Sequence, residues 1–228
     1  MNMRNVILAF ALCTVVPMAA QAEESIDERW NVDADAKISV ENVAGNIEIE
    51  GWDKNEVHLT GTLGDSVEEL EVDETGSGLQ ISVINRDERR IDETELKLRV
   101  PESAVITASA VSADIEISGM DNKKLTGSSV SGDVQVRATS QWVSLESVSG
   151  DVGFSGKTGR ISAESVSGDI ELSGISGSIE ATTVSGDMEL EASDMKSGKF
   201  ETVSGDIEVT TDMTGNGKLR AESMSGDV

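Results

Sequence analysis

The chain has 228 residues, with 18 Lys and Arg against 43 Asp and Glu, for a formal net charge of −25. That balance argues against nucleic acid as a partner, because phosphate binding needs basic patches, and against adsorption to an anionic bilayer. It favours partners that are cationic or that bring metal ions. Three Trp, three Phe and no Tyr, beside 22 Gly, exclude the aromatic-rich core of an ordinary compact domain.

At the N-terminus, Met1 to Asn5 carries one positive charge, Arg4, and Val6 to Val16 is apolar almost throughout. Pro17 follows, and Ala20-Gln21-Ala22 is a small-residue cleavage site. The pattern predicts a secretory signal peptide over 1–22, cleaved after Ala22. Its apolar run is too short for a permanent anchor. Cys13 lies inside that run behind Leu12, which is not the setting of a lipid-attachment cysteine. It therefore leaves with the leader, and the mature chain has no disulfide, thiol nucleophile or thiolate metal site. No later segment reads as transmembrane. The expected location is the periplasm or the cell exterior.

Residues 23–110 read as degenerate β coils and an irregular β cap. Ile38, Val40, Val43, Gly45, Ile47 and Ile49 fall at the spacing found in the regular repeats downstream, and Thr62-Leu63-Gly64-Asp65 is a weaker echo. Leu79 to Ile84 and Leu96 to Val100 alternate as strands. Between them, Asn85 to Glu95 is a charged loop with Arg86, Arg89 and Arg90, read as a solvated hairpin tip.

Residues 111–228 carry a tandem repeat. Its starts are Val111 (V-S-A-D-I-E-I), Val130, Val148, Val166, Val184, Val203 and Met224, spaced by 19, 18, 18, 18, 19 and 21 residues. In Val166 to Leu172, period-two alternation puts Val166, Gly168, Ile170 and Leu172 on one face, and Ser167, Asp169 and Glu171 on the other. Ser173-Gly174 is a turn signal. A second short strand, such as Ile161 to Ser165 or Ile179 to Thr183, leads into the next motif, with a bend at Ser165-Val166. The predicted fold class is all-β: a β-solenoid of about 18-residue two-strand coils. One coil buries too little to stand alone, so coils must stack, with inward Gly and Ala letting the two faces of a coil approach. The chain stops inside a motif at Asp227-Val228, which reads as a truncated C-terminus.

The conspicuous polar constellation is an Asp ladder: Asp114, Asp133, Asp151, Asp169, Asp187, Asp206 and Asp227. Glu116, Glu171, Glu189 and Glu208 form an interrupted second column. Carboxylates one layer apart repel by about 1 kcal/mol per neighbour in water. The favoured compensation is backbone N–H or Ser hydroxyl donation in the turn. The competing reading is a calcium column on Asp133, Asp151, Asp169, Asp187 and Asp206, although the paired glycine of the calcium-binding nonapeptide repeat is missing. No catalytic or cofactor-binding residue is assigned. His58, the single histidine, has no nucleophile beside it in sequence. Trp30, Trp52 and Trp142 are assigned to core or cap packing before sugar stacking.

V-E-N-V-A-G-N-I-E-I-E-G-W-D from Val40, L-K-L-R-V-P-E-S from Leu96 and the V-S-G-D repeats together resemble the bacterial putative-adhesin β-strand-repeat family, a domain of unknown function in envelope and secreted proteins. The resemblance covers nearly all the mature chain and implies a right-handed β-solenoid-like fold in the cell envelope, with some relatives tied to envelope stress. It supplies no catalytic residues. Ala113 departs from its usual glycine. The expected function is a non-enzymatic scaffold or adhesin-like surface for an envelope protein or glycan; the alternative is a carbohydrate-binding or carbohydrate-active β-helix.

Overall fold

Period-two alternation of aliphatic and polar residues favours strands, and strands here pair wherever that alternation repeats at a constant offset. A computed structural model describes residues 24–86 and 91–228. The signal peptide, Cys13, Arg89 and Arg90 lie outside these residues. The described chain is all-β, without a helix. Its thirteen strands are β1 (Glu24–Asn31), β2 (Lys37–Trp52), β3 (Glu56–Leu63), β4 (Val67–Thr75), β5 (Gly78–Asn85), β6 (Thr94–Pro101), β7 (Val105–Ser129), β8 (Val134–Ser147), β9 (Val152–Thr158), β10 (Arg160–Glu164), β11 (Ile170–Thr182), β12 (Met188–Ser204) and β13 (Ile207–Ser225).

From β2 onward the pairing is parallel and runs β2, β7, β8, then β9 with β10, then β11, β12 and β13. Partners are one repeat apart: Ile115 with Val134, Val134 with Val152, Val152 with Ile170, and Ile170 with Met188. Each repeat is therefore one layer. At about 4.8 Å per layer, the six repeats from Ile115 to Ile207 stack over roughly 25–30 Å. The N-terminal region closes one end. β5 and β6 pair in parallel with the two halves of β2, and antiparallel β1, β3 and β4 lie outside them. β7 runs unbroken across residues 110–111, so stacking continues from β2 directly into the repeats.

The core is a column of aliphatic layers. Ile115, Val134, Val152, Ile170 and Met188 line up in it, as do Ile117, Val136, Phe154, Leu172 and Leu190, all buried. The second strands contribute Leu125, Val143, Ile161 and Ile179. In β12 the pattern swaps size: Gly198 replaces the Ile179 position and buried Phe200 replaces Ala181. A Cβ on Gly198 would meet the Phe200 ring at 2.9 Å, so the glycine makes room for the aromatic.

Four details differ from the sequence reading. Val166 points outward, not inward: it is 43% exposed, while Gly168, Ile170 and Leu172 are buried. The inward residue before the bend is Ser165, three positions ahead of Gly168, because the chain turns a corner between them. Ser173-Gly174 does not end a strand; β11 runs through it with a bulge at Gly174 (φ 77°). The charged loop after Asn85 is not a hairpin tip, since the strands it joins, β5 and β6, are both parallel to β2. Thr62-Leu63-Gly64-Asp65 belongs to antiparallel β3 and its turn, so it is not a repeat layer.

Candidate functional site

The corner of each layer is built by five residues, [ST]-V-S-G-D. Backbone bonds between layers flank it: Ser167 N–H donates to Val148 O and Ile170 N–H to Asp187 O, both at 2.9 Å. Glycine is required here by proximity. A Cβ on Gly150, Gly168 or Gly186 would lie 2.0–2.2 Å from the carbonyl oxygen of the motif glycine one layer away. The close approach is thus along the stack and not across the coil. Ala113, in the first layer, is fully buried and pairs with Gly45, whose φ of 110° gives that position a different backbone.

The first residue of the five carries a hydroxyl. Ser129, Ser147, Ser165, Thr183 and Thr202 are all buried. Ser165 Oγ donates to Gly150 O at 3.3 Å and accepts from Gly168 N–H at 2.9 Å. Ser147 does the same with Gly132 O and Gly150 N–H, at 3.1 and 3.0 Å. Thr183 and Thr202 keep the donor half of the pattern toward Gly168 O and Gly186 O, at 3.3 and 3.5 Å. The V-S-G-D motif does not include this column. Its signal was available, because Ser or Thr precedes every V-S-G-D from Val130 to Val203, and Asn42 precedes Val43. Asn42 uses an amide in the same place, donating to Ala44 O and Thr94 O at 3.1 and 3.0 Å.

The Asp ladder resolves into interlayer hydrogen bonds. Each Oδ1 accepts the backbone N–H of the next Asp: Asp114 from Asp133, Asp133 from Asp151, Asp151 from Asp169, Asp169 from Asp187, Asp187 from Asp206, and Asp206 from Asp227, at 2.7–2.9 Å. The donor comes from the neighbouring layer, not from the same turn. A charge-assisted bond on each of these six carboxylates offsets the ladder's repulsion. Among the described residues, no group of three or more His, Cys, Asp or Glu side chains is arranged to hold a metal.

Beside that ladder runs an apolar column. Val111, Val130, Val148, Val166, Val184 and Val203 are each 42–48% exposed, and Met224 continues the line. Charge is divided between the two halves of each layer. In residues 111–228, the corner and first strand hold twelve carboxylates and one cation, Arg137. The following bend and second strand hold eight carboxylates, balanced by eight cations: Lys123, Lys124, Lys157, Arg160, Lys196, Lys199, Lys218 and Arg220. Glu116 and Glu171, in the Glu column, are separated by Gln135 and Gly153. They stand three layers, or about 14 Å, apart, whereas Glu171, Glu189 and Glu208 occupy successive layers about 4.8 Å apart.

The basic half carries Trp142, which is 41% exposed on β8 and not packed into core or cap as expected. Lys124 lies 4.4 Å from its ring centroid. Lys199 bridges Glu201 at 2.9 Å and Glu180 at 3.1 Å, and those two hydrogen bonds raise its pKa. Arg220 binds Glu222 at 2.7 Å and holds that carboxyl below its ordinary range. Trp30 and Trp52, by contrast, are partly buried in the cap. His58 stacks on Trp52 at 6.2 Å, and its Nε2 lies 2.9 Å from Asp27 Oδ1.

No helix among the described residues is long and apolar enough to cross a membrane. No curated protein matches the chain. The solved structure of a putative adhesin from Bacteroides fragilis is similar in fold, with a TM-score of 0.63 at 17% identity, covering 91% of this chain and 98% of that one. A putative adhesin from Parabacteroides merdae aligns with a TM-score of 0.45 at 12% identity, over 90% and 96% of the two chains. A putative lipid-binding protein from Parabacteroides distasonis gives 0.44 at 15%, over 90% and 96%. The Toastrack DUF4097 family model matches residues 35–228, which takes in β2, the cap strands after it and every repeat layer; the chain belongs to that family.

Proposed function

We propose that this protein is a non-enzymatic β-solenoid scaffold of the cell envelope, periplasmic or extracellular, that works as an adhesin-like interaction surface. The observation that carries the reading is the column from Val111 to Val203. It repeats an exposed apolar side chain in every layer, where a soluble monomer has no folding reason to keep one. The acidic ladder beside it suits a partner that pairs apolar with cationic groups. A surface that is nearly the same in each layer supports binding by repetition and not catalysis at one point. The Asp carboxylates already accept N–H groups, which supports a fold without resident calcium.

The test has two parts. Expressed with its leader in a Gram-negative host, the protein is expected in the periplasm or medium with Glu23 as its first residue; retention in the cytoplasm with Met1 intact overturns the location. Purified protein is expected to bind isolated cell envelopes, and the triple variant Val148→Lys, Val166→Lys, Val184→Lys to bind less at unchanged circular dichroism. Equal binding by the folded variant removes the Val column from the proposal. A second reading, carbohydrate binding, is favoured by exposed Trp142.

A further inference from the structure

On the basic half of the stack a groove of about 900 Å³ runs from Trp142 on β8 across β10, β11 and β12 to Arg220 on β13. Lys124, on β7, lies over the Trp142 ring, and the groove lies toward β10, beside Arg160. Ser144, Ser162, Ser178 and Ser197 supply hydroxyls along it, with Ser197 donating to Ser178 at 3.0 Å. Lys199 and Arg220 are neutralised by their Glu partners. Arg160 and Lys218 take part in no ion pair among the described residues. They share one outward column with Trp142, because Arg160 pairs with Ser178, Ser178 with Ser197, and Ser197 with Lys218. Two uncompensated cations thus stand three layers, about 14 Å, apart in a groove with an indole at one end.

We propose that this groove binds a linear acidic glycan, with the C–H face of one sugar ring against Trp142 and its carboxylate or sulfate groups on Arg160 and Lys218. An aromatic face takes the apolar face of a pyranose. A guanidinium matches a carboxylate or sulfate with two parallel N–H donors, and serine hydroxyls both donate to and accept from sugar hydroxyls. A polyanion would be repelled by the chain's overall charge. The division of charge removes that objection locally, since the carboxylate-rich corner and first strand lie on the other half of each layer. The groove's length over five strands favours a polymer above a single anion. A flat anionic lipid surface is disfavoured, because it would meet the carboxylates of the flanking columns as well as the cations.

The site is independent of the Val column, and either can fail without the other. The experiment is affinity electrophoresis of the mature protein in gels containing polygalacturonate, heparin or neutral dextran, beside flotation with vesicles rich in anionic lipid. Retardation is expected with at least one acidic polysaccharide and not with dextran, and is expected to weaken with added salt. Trp142→Ala and Arg160→Gln should each weaken that binding about tenfold, and Arg137→Gln, on the acidic half, should leave it unchanged. Thermal melting shows that the variants fold, and Arg160→Gln carries the test alone if Trp142→Ala does not. The proposal is overturned by no retardation in either acidic polysaccharide, by equal retardation in dextran, by an equal loss in Arg137→Gln, or by flotation with anionic vesicles in place of polysaccharide binding.

Discussion

At the corner of each layer a single methyl group decides whether two layers can meet. A Cβ at Gly168 would sit 2.0 Å from Gly150 O, a backbone atom that cannot swing aside. Gly168→Ala is therefore expected to cost about 2–3 kcal/mol in urea unfolding, at the upper end of overpacking penalties. Ser165→Ala removes one donor and one acceptor from a buried corner and should cost about 2 kcal/mol by stranding Gly150 O and Gly168 N–H. Ser165→Thr should be tolerated, because Thr183 and Thr202 fill the same column. At the ladder, Asp169→Asn keeps an oxygen for the Asp187 N–H and relieves repulsion, so it is expected to unfold no earlier than the parent, whereas Asp169→Ala should unfold earlier. If Asn is as damaging as Ala, the charge itself matters, and a melting midpoint raised by calcium and lowered by chelator would then restore the metal column.

At the scale of the strand, the alternation was legible but its phase across the corner was not. A pure period-two reading carries Val166 inward with Gly168 and Ile170. The chain turns between Ser165 and Gly168, and three residues, not two, separate the inward positions. Stability measurements check this directly. Val166→Lys should lie within about 0.5 kcal/mol of the parent, as an exposed substitution does. Ile170→Ala, at 1% exposure, should cost about 2–5 kcal/mol. Trp142 faces outward for a related reason: sequence shows that an aromatic stands on a strand, but its face follows from the register of that strand. The Glu222–Arg220 pair belongs to this scale too. Its carboxyl is held low in the folded state, so its contribution is complete above the ordinary carboxylate range and fades as pH falls through the lowered value.

At the scale of the molecule, each layer contacts mainly its two neighbours, so stability should be nearly a sum over layers and interfaces. Deleting residues 166–183 joins Ser165 to Val184 and restores the five-residue corner in register. That variant is expected to keep its β-sheet circular dichroism with a lower melting midpoint. Deleting only 166–174 removes half a layer and should abolish the cooperative transition. The cap is expected to matter out of proportion to its size, since β1, β3 and β4 cover one end with antiparallel pairing.

The sequence by itself determined the all-β class, the layer length and the candidate ladder, because an 18-residue offset with alternating aliphatics leaves strands one consistent way to stack. It also held the hydroxyl column and the division of charge, both visible once the repeats are aligned beneath each other. Tertiary structure alone decided the rest. The order of β5 and β6 beyond β2 depends on pairing between residues more than thirty positions apart. The donor to each Asp is a neighbour's N–H, which no single repeat contains. The groove at Trp142 exists only because five successive strands place their second halves side by side. Periodicity is a property of one chain segment, whereas a ladder partner and a groove wall are properties of neighbouring layers.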